Sequence, residues 1–231
     1  MDPRRTSEPG RPSGRQPLRV KGEALELLAA RALYWPAGGG GAGVLAVADL
    51  HWGKTESFHQ HGIALPTGVL QDDLQRLSAA LQGTGARRLL LLGDLVHSRA
   101  GLTPAVVSEA AAWRARHPEV QVVLVRGNHD RHVPRLPEAW GIEDVPGPLD
   151  EGPFRFAHHP EPAEGRYAWA GHLHPTVRLG GGADRLRLPC FHLGREVGVL
   201  PAFSAFTGGQ DVTRRAGERV YAVAGSEVVR V

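Results

Sequence analysis

The chain has 231 residues, 42% of them hydrophobic and 22% charged, a single cysteine and a formal net charge of +3, which is the length of one ordinary domain with enough core to surround a site. No apolar run approaches the ~18 residues of a membrane span, the first 22 residues lack the apolar stretch of a secretory signal, and Cys190 alone excludes an internal disulfide, so a cytoplasmic protein with no membrane partner is expected. Residues 1–21 hold six basic side chains against Asp2 and Glu8, which leaves the rest of the chain nearly neutral and without the clustered cations of a duplex-binding surface.

In chain order, residues 1–18 are rich in Pro, Gly, Arg and Ser, the composition of a disordered basic arm; residues 19–231 read as a single domain. The glycine-rich loop 37–43 leads into Val44-Leu-Ala-Val-Ala48, a short apolar run typical of a strand covered on both faces. Residues 89–92 and 121–125 repeat that signature. Between the first two runs, Leu70, Leu74, Leu77 and Leu81 share one face at helical spacing, opposite Asp72, Asp73 and Arg76, which predicts an amphipathic helix over 70–81. Between the second and third, Thr103 and Pro104 offer an N-cap and a first-turn proline for a helix running to about His117. The order β-α-β-α-β implies parallel strands, right-handed crossovers and functional residues at the strands' carboxyl ends. After Gly152 the runs 154–157, 167–170, 186–188, 220–223 and 228–231 predict a second, mostly antiparallel sheet.

Chemistry gathers at those strand ends. The first strand ends in Asp49-Leu-His51, the second in Gly93-Asp94, the third in Gly127-Asn128-His129-Asp130; His158-His159-Pro160 follows 154–157, and Gly171-His172-Leu-His174 follows 167–170. Ligands two residues apart on an extended chain end face the same way, so Asp49 converges with His51 and His172 with His174, while Gly171 permits close backbone approach. Any one of these motifs is more often accidental than functional; five in order, each after a predicted strand, are not. Oxygen and nitrogen donors without thiolate suit manganese, iron or zinc in a catalytic site better than a structural zinc centre.

The order D-x-H, G-D, G-N-H, H, G-H-x-H resembles the calcineurin-like metallophosphoesterase superfamily. That resemblance implies an α/β fold, a metallophosphoesterase-type sandwich of two mixed β-sheets flanked by helices, and a metal-dependent phosphoesterase. It also implies two divalent ions, manganese first with iron or zinc as alternatives: Asp49, His51, Asp94 and His174 around one, Asp94, Asn128, His158 and His172 around the other. Asp94 bridges them, a metal-bridging hydroxide attacks phosphorus, and His129 assists the leaving group. The familiar G-D-x-x-D-R segment departs here to Gly93-Asp-Leu-Val-His97-Ser98-Arg99. Loss of the phosphate-gripping arginine leans towards diesters and leaves open what orients His129.

A narrower resemblance rests on Ala48-Asp-Leu-His-Trp-Gly-Lys54, Phe58, Gly62-Ile63, Pro66, His158-His-Pro160 and Leu200-Pro-Ala-Phe-Ser-Ala-Phe-Thr-Gly-Gly209. These resemble the ligase-associated DNA damage response endonucleases of the PdeM type, although the usual H-E-P has His159 in place of Glu. The resemblance implies a DNA-directed phosphodiesterase acting in repair beside a DNA ligase and a helicase. The alternatives are a hydrolase of nucleotides or other small phosphoesters and, with less support because no ligand is missing, a non-catalytic scaffold. Trp52 and Phe58 read as core or as base-stacking platforms, and His59 and His61 as solvated loop residues.

Overall fold

The computed structural model describes residues 14–181 and 185–231. Most of the arm expected over 1–18 lies outside the described residues; its last part is instead strand. In β1 (Arg15–Val20) Leu18 and Val20 turn inward while Pro17 and Arg19 are exposed, and a proline is tolerated because β1 is a sheet edge.

The first sheet follows chain order: β1, β2 (Glu23–Leu28), β3 (Ala32–Trp35), β4 (Val44–Val47), β5 (Arg88–Leu92), β6 (Gln121–Val125) and β7 (Glu143–Val145). It is antiparallel from β1 to β4 and parallel from β4 to β7, so it is mixed, with the parallel half where the apolar runs place it. Helices α2 (Val69–Thr84) and α3 (Pro104–Ala115) are the crossovers. Thr103 caps α3, its hydroxyl accepting from the Val106 N–H, as its sequence predicts. The short α1 (Lys54–Gln60) precedes α2.

The second sheet runs β14 (Gln210–Asp211), β11 (Pro175–Leu179), β12 (Leu186–Leu193), β13 (Val197–Val199), β10 (Tyr167–Ala170), β9 (Phe154–Phe156), β8 (Leu149–Glu151), with β15 (Arg219–Ala224) on β12 and β16 (Glu227–Arg230) on β15. Most of its pairs are antiparallel, but β9, β10 and β13 run parallel. This is the expected sandwich of two mixed sheets, with both long helices on one outer face.

Strict alternation along β4, β5 and β6 builds two cores. Leu45, Val47, Leu89, Leu91, Val122 and Leu124 pack against Leu70, Leu74, Leu77, Leu81 and Trp113 of the helices. Ala46, Leu90, Leu92, Val123 and Val125 meet Phe154, Phe156, Trp169 and Phe191 of the second sheet. Fully burying each such side chain is worth roughly 1.5–3 kcal/mol. At the strands' carboxyl edge an Ala48–Ala202 bridge joins the sheets, and Phe203 N donates to Ala48 O at 2.7 Å.

Candidate metal centre

All seven candidate ligands lie just past strand ends at that edge: Asp49 and His51 after β4, Asp94 after β5, Asn128 after β6, His158 after β9, His172 and His174 after β10. The loops are laced together before any side chain is considered. His51 N donates to Asp94 O (2.8 Å) and Asp49 N to Gly93 O (3.2 Å). Across the sheets, His172 N donates to Asp49 Oδ2 (2.9 Å); within the first sheet, His129 N donates to Asp94 Oδ1 (2.9 Å).

Two groups of side chains result. His158 Nε2 lies 2.9 Å from Asn128 Oδ1, 3.1 Å from His172 Nδ1 and 3.5 Å from Asp94 Oδ2. His174 Nε2 lies 3.4 Å from both Asp49 Oδ1 and His51 Nε2. The donor atoms of Asp49, Asp94 and His158 fall within 4.8 Å of one another, as do those of Asp49, His51 and His174. The two groups are therefore contiguous.

Second partners aim the rings. His158 Nδ1–H donates to Leu92 O (3.1 Å) and His174 Nδ1–H to Gly208 O (3.0 Å). A carbonyl only accepts, so each Nε2 keeps its lone pair for the cluster. Burial, reinforced by neighbouring imidazoles, lowers His51 to about 2, and burial against the opposing pull of Asp49 lowers His158 to about 4; burial also lowers His172. His174 differs: burial would lower it, but the Asp49 carboxylate 3.4 Å from its Nε2 outweighs this and raises it.

The arrangement fits divalent ions. Asp49 Oδ1 is fully buried and accepts no hydrogen bond, a costly condition unless a cation satisfies it. Neutral imidazoles facing one another at 3.1–3.4 Å, beside carboxylate and amide oxygens, make a donor set suited to manganese, iron or zinc.

His129 borders this donor set, its donor atom within 4.8 Å of those of His51 and His97 and its ring 5.0 Å from that of His51, and the structure resolves what orients it. Its Nδ1–H donates to the backbone carbonyl of His97 at 2.9 Å, and the two rings stack with centroids 5.2 Å apart and planes 24° apart. A main-chain carbonyl thus occupies the role the missing Asp leaves open. Ser98 bonds Ser57 Oγ (3.0 Å) and caps the turn 99–101. Arg126 is spent on Asp144 and on the carbonyls of Asp130 and Val133, while Arg99 and Arg131 are exposed.

Sequence reasoning passed over Asp130. It is fully buried, accepting from Gly127 N (2.9 Å) and Val96 N (3.1 Å), and so ties the loop after β6 to the loop after β5; burial raises its pKa. Its place in Gly-Asn-His-Asp was the available signal. Trp52 is core, edge-on to Trp140 at 5.4 Å, whereas Phe58 is half-buried near the His97 ring (5.7 Å). His59 is exposed, and both it and His61 bond backbone carbonyls of their own loop. His159 is exposed beside His172, ring centroids 4.5 Å apart. Cys190 is buried, its thiol pushed up to about 12 by burial.

A model of the calcineurin-like phosphoesterases matches residues 43–207. Among solved structures, the nuclease MPE of Pseudomonas putida is 38% identical, covers 94% of this chain and 100% of its own, and superposes with a TM-score of 0.82. No curated protein matches the chain.

Proposed function

Because the chain belongs to the calcineurin-like phosphoesterase family and is a metal-dependent phosphoesterase, we propose that it is a two-metal phosphodiesterase that cuts DNA internally. The observation that carries the reading is the cluster at the joined edge of the two sheets, where two carboxylates, one amide and four imidazoles from five loops converge within hydrogen-bonding distances. Asp49, His51, Asp94 and His174 would hold one ion; Asp94, Asn128, His158 and His172 the other, with manganese the first choice. When bound, such ions polarise the phosphoryl oxygens and acidify a water to nucleophilic strength.

The chain's own residues do the rest. Asp94 is held by His129 N at one oxygen, faces His158 with the other and lies within 4.8 Å of the donor atom of Asp49, so it would stand between the two ions. His129 turns Nε2 towards the site because Nδ1 is committed to His97 O; as the imidazolium, protonated at Nε2 from solvent, it would hand that proton to the departing oxygen and be left neutral. Leu92 O and Gly208 O keep the rings of His158 and His174 turned inward.

A diester is favoured over a monoester because Ser98 stands where a guanidinium would grip a dianion, and Ser98 is occupied structurally. The similarity to a nuclease supports DNA. The near-neutral body implies few phosphate contacts, low intrinsic affinity and recruitment by a partner; the resemblance to the ligase-associated endonucleases supports a DNA ligase and a helicase in that role, in cytoplasmic repair.

The test compares a closed circular single strand with a linear one carrying blocked ends, in manganese, at two salt concentrations. Cleavage of the circle with a shallow salt dependence is expected. Turnover of p-nitrophenyl phosphate or a nucleotide with neither DNA cut would replace this reading by a small-phosphoester hydrolase.

A further inference from the structure

Next to His174 a cavity of about 260 Å³ opens between the β2–β3 turn, the β11–β12 hairpin and the loop after β13. Arg31 and Arg187 stand on its walls, with Thr176 and the Gly208-Gly209 backbone between them. Since His174 belongs to the metal centre and also lines this cavity, whatever occupies the cavity is adjacent to the reacting phosphate.

Arg31 is an unusual residue for its position. β2 and β3 pair with Leu28 opposite Ala32, so Ala29, Ala30 and Arg31 form a three-residue turn whose last member is left-handed (φ 63°). Glycine is the usual occupant of that position, and an L-residue there costs about 1–2 kcal/mol. Among the described residues, the seven non-glycine residues with positive φ are five of the candidate ligands, Lys21 in the tight turn before Gly22, and Arg31.

Among the described residues no carboxylate is bonded to Arg31. Its half-buried guanidinium donates through Nη1 only to the carbonyls of Ser204 (3.0 Å) and Ala202 (3.4 Å). The carboxylate that acts on it, Asp73, is already bonded to Arg76 at 2.7 Å. Burial, with Arg76 adding to it, lowers the pKa of Arg31, the mark of a cation short of an anion. Across the cavity Arg187 and Arg178 share one carboxylate, Asp211, which also accepts from Thr176 (2.7 Å). Four guanidiniums thus share two carboxylates, and Arg187 is further pinned to Gly209 O.

We infer that this cavity is a second phosphate subsite, in which Arg31 and Arg187 hold the backbone phosphate next to the scissile one, so that the enzyme prefers substrates with at least two linked phosphates. The inference rests on the phosphodiester reading above. Rigid, pre-placed guanidiniums bind a phosphate oxygen pair at little ordering cost, and a subsite of only this size reconciles internal cutting of DNA with a body that carries no broad basic face.

The experiment measures kcat/KM for cleavage of the internal bond in TpT, which has one phosphate, and in pTpTp, which has a phosphate on either side of it. The manganese-loaded wild type should favour pTpTp roughly tenfold or more, the worth of one charged hydrogen bond. Arg31→Met and, independently, the exposed Arg187→Met should each shrink that preference towards one, while Arg31→Lys keeps most of it. Equal wild-type rates, or variants that lose both activities in proportion, would overturn the subsite and leave Arg31 a brace for the 202–204 loop. If bis-p-nitrophenyl phosphate is hydrolysed in that event, only the subsite fails; if it is not hydrolysed either, the phosphodiester reading fails with it.

Discussion

Asp49, His51, Asp94, His172 and His174 all adopt left-handed backbone conformations, a cost of about 1–2 kcal/mol each that a fold sustains where geometry matters more than stability. Substituting Asp94 by Asn keeps the oxygen that accepts from His129 N but removes the charge. We expect turnover to be lost by at least roughly 10³ with the thermal midpoint of metal-free protein little changed; retained activity would remove Asp94 from the bridging role. His129→Ala should keep both ions by elemental analysis while slowing diesters with poor leaving groups by roughly 10²–10⁴, and nitrophenyl esters less. Loss of metal in that variant would make His129 a ligand instead. Among the imidazoles of the cluster, His174 is the one raised above its ordinary 6.5, so it is the proton that an incoming ion must displace. Metal affinity should therefore begin to fall at a pH above that ordinary value and keep falling as pH drops, with protons released on loading; a pH-independent affinity measured by calorimetry would contradict this.

At the scale of elements, placement depends on close approaches that only glycine allows. A Cβ on Gly171 would sit 2.6 Å from both Ala48 Cβ and Asp49 Oδ2. Gly171→Ala should push the 172–174 loop off β4, destabilise by about 1–3 kcal/mol and lower metal stoichiometry; a variant with wild-type melting and two ions would show that the loop is not held there. Strands β4, β5 and β6 were legible because they are covered on both faces and so read as unbroken apolar runs. The first three strands were not legible, since Glu-Ala-Leu-Glu-Leu-Leu of β2 fits a helix or a strand equally well and only pairing with β1 and β3 decides. The seven-residue α1 is too short for a period to declare itself.

Across the whole molecule, the candidate ligands are divided between the sheets: Asp49, His51, Asp94 and Asn128 extend from the first, His158, His172 and His174 from the second. Bound ions would then rivet the sandwich at its open edge, and loading with manganese at a hundred times its dissociation constant should stabilise by about 2.7 kcal/mol, seen as a rise in Tm that a chelator reverses. Unchanged melting on loading would mean that no ion binds the native fold in preference to the unfolded chain, against the metal-centre reading. The candidate ligands could be named from the sequence because strand ends in a parallel arrangement must deliver their next residues to one edge and the donor types at those ends are distinctive; the extended chain ends expected for Asp49 with His51 and His172 with His174 are instead left-handed. Three things were decided by tertiary structure alone. The His97 carbonyl, not a side chain, orients His129; Asp130 ties two loops 34 residues apart in sequence; and Arg31 reaches the edge of the site from a hairpin with no motif of its own. Backbone carbonyls carry no residue signature, and contacts between sheets form only when both cores are buried, which is why composition and spacing name the candidate ligands while the fold decides how they are oriented.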